Sequence, residues 1–130
     1  MLVVDASYAV RACGVDEGFS LLRDAHLVAP PLMWSETRSA LYEAAWRGEI
    51  AEGDAAAAQQ RLDNAPVASR NPGRLGSETL AISDDLGWAK TYDAEYLALA
   101  RLLNCRVVTL DSRLRRGADR LGLVILPTEL

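Results

Sequence analysis

The sequence predicts an α/β fold built on a parallel sheet. Short apolar runs, "LVV", "HLVA", "CRVVTL" and "LVIL", recur along the chain, and segments with helical spacing lie between them. Strands that alternate with helices and are apolar throughout imply a sheet covered on both faces. A length of 130 residues suits one domain, residues 1–130, and the chain shows no internal repeat, linker or low-complexity tail.

Taken in order, Leu2 to Val4 form the first strand, closed by Asp5. Asp16 and Glu17 open an amphipathic segment carrying Phe19, Leu21 and Leu22. "HLVAPP" is a second strand stopped by proline, and Pro31 sits in the first turn of a helix, "PLMWSETRSALYEAAWRGE", that ends near Gly48. The alanine-rich "IAEGDAAAAQQRLDN" is a further helix, and the loop "APVASRNPGR" holds a brief edge strand at Val67. Helical spacing returns from Leu75 to Leu86, Gly87 ends it, and Thr91 caps a helix running to about Leu103. "CRVVTL" is the clearest strand, followed by a short helix, "SRLRRGADRLG", and a last strand, "LVIL".

The start "MLVVDASYAV" has no basic leader, and no apolar run reaches the roughly 18 residues of a membrane span, so a cytoplasmic protein is expected. Cys13 and Cys105 fit neither a zinc pattern nor a disulfide framework and are expected to be reduced, mostly buried thiols. The net charge of -4 provides no general attraction for nucleic acid, so any such binding needs a local basic surface.

Elimination narrows the chemistry. His26 is the only histidine and has no partner at metal-ligand spacing, which excludes a two-histidine nuclease and a histidine-dependent triad within one chain. No GxxxxGK[ST] loop or GxGxxG turn is present, so the glycine-rich cradles of nucleotide-binding proteins are missing. Carboxylates and hydroxyls remain.

In a parallel sheet, function gathers where strands end and helices begin. Asp5 and Asp111 directly follow apolar strands, and Asp93 falls in the first turn of a helix. At 100° per residue, Glu36 borders the apolar arc of its helix, which contains Met33, Thr37 and Leu41. Each acid alone is explained as a cap, a dipole partner or a solvated side chain. Together, three of the four would crowd one sheet edge and raise one another's pKa values unless a cation compensates. Magnesium or manganese matches such oxygen donors and leaves room for a phosphate, which makes the site a phosphodiesterase candidate.

The series "VVDAS", "WSETRSAL", "TYDAEYLALA" and "VVTLDSRL" resembles the PIN domain nucleases, specifically the VapC toxins of type II toxin-antitoxin pairs. The resemblance implies a three-layer α/β/α fold with strand order 3-2-1-4-5, and an acidic site of Asp5, Glu36, Asp93 and Asp111 that binds Mg2+ or Mn2+. Ser7 and Thr109 match small hydroxyl positions beside the acids, where they orient carboxylates or cap the local backbone. The resemblance further implies a homodimer held inactive by a VapB-type antitoxin, and an RNA substrate such as transfer or ribosomal RNA. No acid closely follows Asp111, so a fifth carboxylate of some relatives has no counterpart there.

The function expected is a metal-dependent endoribonuclease. Arg113, Arg115 and Arg116 beyond Asp111, with Arg70 and Arg74 in the loop, are candidates for contact with the RNA backbone. Trp34, Trp46 and Trp88 either stack on bases or, at helical positions, pack in the core or a dimer contact. A catalytically silent PIN-like binding protein and a receiver-like signalling domain are the alternatives, the second weakened by a single acid after the first strand and by the position of the sole lysine, Lys90.

Overall fold

The computed structural model describes residues 1–130. Five parallel strands, β1 (Leu2–Val4), β2 (Leu27–Ala29), β3 (Ala68–Ser69), β4 (Arg106–Val108) and β5 (Val124–Ile125), form one sheet in the order 3-2-1-4-5. A receiver-like module would carry the doubly wound order 2-1-3-4-5, so the sheet excludes that alternative.

Six helices cover the sheet: α1 (Ala6–Cys13), α2 (Leu32–Trp46), α3 (Glu52–Asp63), α4 (Leu75–Leu86), α5 (Tyr92–Leu102) and α6 (Ser112–Gly117). The helices α1, α2 and α3 pack on one another, while α4 packs on α5 and α5 lies against β1 and β4. Right-handed crossovers require this division: the chain winds outward from β1 to β3 over one face and returns to β4 and β5 over the other. The core between the layers contains Val3, Val4, Val28, Val107 and Val108 from the strands, and Met33, Leu62, Ile82, Tyr96, Leu97 and Leu99 from the helices, all essentially without solvent contact.

Several local expectations change. The helix after β1 is "ASYAVRAC", which begins at once because Asp5 caps it, its side chain accepting from the Tyr8 N–H. Residues 16–22 instead form turns and a single 3-10 turn, and Leu21 is exposed. The amphipathic appearance of that segment comes from Phe19 and Leu22, which are buried from a turn. The edge strand lies just past Val67, and the segment after Asp111 is one short helix followed by a 3-10 turn at Asp119–Leu121. Thr91 stands at the N-cap position of α5 but in an αR conformation, and its side chain caps nothing. Trp88 lies beyond the end of α4 and not on a helix.

Both cysteines are free; Cys13 is buried, with its thiol pushed up to about 11 by burial, and Cys105 is half-buried. No helix is long and apolar enough to cross a membrane.

Candidate active site

With all strands parallel, the residues that leave their C-terminal ends meet at one edge. β1 is central and pairs with β4 in a register that sets Val4 against Val108, so Asp5 and Asp111 emerge on neighbouring strands. The Asp5 N–H reaches the Val108 carbonyl at 3.4 Å. The helix α2 starts just beyond β2, which keeps its early turns, and Glu36, at the same edge. The helix α5 runs back toward the start of β4, so its first turn, with Asp93, stands there too. Glu36, Asp93 and Asp111 line one open cavity of about 650 Å3.

Asp5 is buried at the same sheet edge, 5% exposed, and does not line the cavity itself. Its Oδ1 accepts from the Ser7 hydroxyl at 2.7 Å and the Tyr8 N–H at 3.0 Å, and its Oδ2 accepts from the Thr109 hydroxyl. Ser7 and Thr109 in turn accept the N–H groups of Leu110 and Asp111, each at 3.0 Å. Two hydroxyls thus link the loop after β4 to the acid after β1. Each hydroxyl has one hydrogen, and with both given to Asp5 the 3.1 Å Ser7–Thr109 approach holds no hydrogen bond of its own.

Asp111 caps α6, its Oδ1 accepting from the N–H groups of Arg113 and Leu114. Its Oδ2 accepts from no group of the chain, and neither oxygen of Asp93 does. Glu36 is held differently: the hydroxyl of Tyr96, a residue 1% exposed, donates to Glu36 Oε1 at 2.6 Å. This bond joins α2 to α5. Tyr96 escaped the sequence reading, although it follows Asp93 by one helical turn and so shares its face of α5. Glu95, half-buried, also escaped it; this acid lies near Glu36 rather than after Asp111.

The charges are strained in a consistent direction. Asp5 is raised above the ordinary carboxylate range, first by burial, with the charge of Asp93 adding to it against the hydrogen bonds it accepts. Asp93 is raised by burial and then by Asp111, with Arg113 working the other way. Tyr96 is raised by burial, by its bond to Glu36 and by the charges of Glu36, Asp5 and Asp93. Mutual repulsion is therefore present, as the sequence suggests, but desolvation exceeds it.

These residues fit a hard divalent cation. The donors are all oxygens, and after its three hydrogen bonds Asp5 keeps one lone pair, on Oδ2. No three acidic, histidine or cysteine side chains gather into a ready-made cage. That suits magnesium, which binds through one or two carboxylates and retains water, better than it suits a cation that needs a full protein shell.

The basic residues divide. Arg113 lines the cavity, 3.7 Å from Asp111 Oδ1. Arg115 is committed to Glu129 and Asp119, and Arg116 is exposed on α6. Arg70 and Arg74 lie exposed in the segment after β3 and do not line this cavity.

A parallel sheet ordered 3-2-1-4-5 with acids at its C-terminal edge is the arrangement of a PIN domain, and the PIN domain family model matches residues 2–120; the chain belongs to that family. Among its relatives are a VapC ribonuclease of Mycobacterium bovis and ribonuclease VapC9 of Mycobacterium tuberculosis, each 36% identical over 129 residues, 98% of this chain and 99% of the relative. The crystal structure of PAE2754 from Pyrobaculum aerophilum shares the fold, with a TM-score of 0.77 at 23% identity over 98% of this chain and 91% of that one.

Proposed function

We propose that this chain is a metal-dependent endoribonuclease, the toxin half of a toxin-antitoxin pair, with Asp5, Glu36, Asp93 and Asp111 as its acidic site. The observation that carries the reading is the shared edge: four acids from separate segments gather there, three of them lining one cavity, and Asp5 and Asp93 are held above the usual carboxylate range. Full-length similarity to VapC ribonucleases supplies the substrate class, RNA.

Asp5 and Asp111 would hold Mg2+ or Mn2+, with Asp93 and Glu36 completing the site directly or through water. When bound, the cation supplies an activated water and neutralises charge developing at phosphorus. The chain's own part is to orient and to desolvate. Ser7 and Thr109 fix the rotamer of Asp5, Tyr96 fixes Glu36 with Oε2 left open, and the α6 cap leaves Asp111 Oδ2 open. Arg113 places positive charge at the rim where the phosphate backbone must pass.

The partners we assign are a VapB-type antitoxin and a second copy of the chain, and the compartment is the cytoplasm. The test is cleavage of structured RNA by purified protein freed of antitoxin, with magnesium or manganese. Cleavage should stop with chelator and with Asp5→Asn; activity that survives either change refutes the assignment. Sedimentation of the same preparation checks the dimer.

A further inference from the structure

The cavity beside the acids has a second wall that the proposed chemistry leaves unused. It is made by the loop 87–91 between α4 and α5 and by the first residue of α5, and it contributes Trp88, Lys90 and Tyr92 to the cavity that Arg113 also lines.

The wall is preorganised. Gly87 ends α4 at φ 70°, a left-handed conformation glycine adopts at little cost. The Trp88 N–H then bonds back to the Ser83 carbonyl at 2.9 Å, the six-residue bond that closes a helix in this manner. The Trp88 ring lies against Gly117 of α6, which fixes it between loop and helix while leaving it half exposed. Tyr92 is 57% exposed, although an aromatic side chain of its size ordinarily seeks cover. Lys90, the only lysine, pairs with no carboxylate, unlike most of the arginines. Of the two cations in the cavity, Arg113 is the one that pairs with an acid, Asp111.

A flat apolar surface, a free ammonium group and a neighbouring acidic cleft match one nucleotide unit of a single strand: a base for the ring, and a phosphate for the cation. Resting on the ribonuclease reading, we infer that Trp88, Lys90 and Tyr92 form a nucleotide subsite beside the cleavage point, in which Lys90 holds a phosphate flanking the scissile one and the aromatic pair takes an unstacked base. The subsite places a base-stacking contact next to the acids, so this loop favours an unpaired strand over a duplex.

The test uses the full chain carrying Asp5→Asn, with octauridylate and an abasic ribose-phosphate octamer as probes. Tyr92→Leu should weaken octauridylate binding about tenfold and leave the abasic probe unchanged. Lys90→Gln should weaken both and reduce the salt slope by about 1, whereas Arg47→Gln, the same charge change at the far end of α2, should do neither. Both altered side chains are exposed, and circular dichroism confirms that the fold survives. Binding of both probes within twofold of the parent in Tyr92→Leu and Lys90→Gln overturns the subsite; equal weakening on the abasic probe by Tyr92→Leu overturns its stacking role. Cleavage by the chain with native Asp5 is measured in parallel. If that chain cleaves while both variants bind normally, the subsite fails and the ribonuclease reading stands; if it does not cleave but binding follows the expected pattern, the ribonuclease reading fails and what stands is a single-strand binding site with no cleavage point beside it.

Discussion

Asp5 is two things at once, the N-cap of α1 and a buried acid of the proposed metal site. Its burial has a consequence for pH. A carboxyl whose pKa is raised in the folded state binds its proton more tightly there than in the unfolded chain. The stability this provides is complete below the ordinary value of 3.8 and is lost as pH rises through the raised value. Asparagine at this position carries no charge and can reuse the network, its amide donating to Thr109 while Thr109 donates to Ser7. Metal-free Asp5→Asn should therefore be more stable than the parent at neutral pH. The gap should close below the ordinary value, as read by thermal melts across pH. Tyr96→Phe removes only the hydroxyl that fixes Glu36. It should weaken Mn2+ binding by about tenfold or more, measured by calorimetry on the isolated chain, with a matching fall in activity at limiting metal.

At the scale of elements, two helix starts are treated differently. α6 depends on Asp111, whose side chain meets two otherwise unpaired N–H groups, whereas Thr91 stands before α5 without capping it. Asp111→Ala should destabilise the metal-free chain by about 0.5–2 kcal/mol, reduced by relief of its repulsion with Asp93. Asp111→Asn should keep the cap while losing cleavage, and Thr91→Ala should shift stability by less than about 0.5 kcal/mol. Chemical denaturation separates these outcomes. The Ser7 and Thr109 hydroxyls do the corresponding work between strands: without Thr109, the Asp111 N–H loses its partner and Asp5 loses a donor at the same edge.

For the whole molecule, a divalent cation that binds the folded chain and not the unfolded one must raise its stability. At a hundredfold excess over its dissociation constant the gain is about 2.7 kcal/mol. Melting temperature should climb with manganese in the native chain and stay flat in Asp5→Asn. The gain should be larger at neutral than at acid pH, because protonated Asp5 and Asp93 compete with the metal.

What the sequence determined by itself was whatever depends on local order: apolar runs that must be strands buried on both faces, α2 to α5 within a residue or two, and the acids that follow strands or open helices. These signals are read within a few residues, and the spacing of chain elements carries them without tertiary help. Its least secure ground was short segments, where α1 hides behind β1 and residues 16–22 resemble a helix, because burial from a turn imitates helical periodicity. Only the tertiary structure decided which side chains meet. Tyr96 reaches Glu36 from another layer, Arg115 is withdrawn by Glu129 from the chain's last turn, and Lys90 and Trp88 share a cavity with Asp111. Such pairings depend on how separate helices are set over one sheet edge, and no local pattern in the chain encodes that distance.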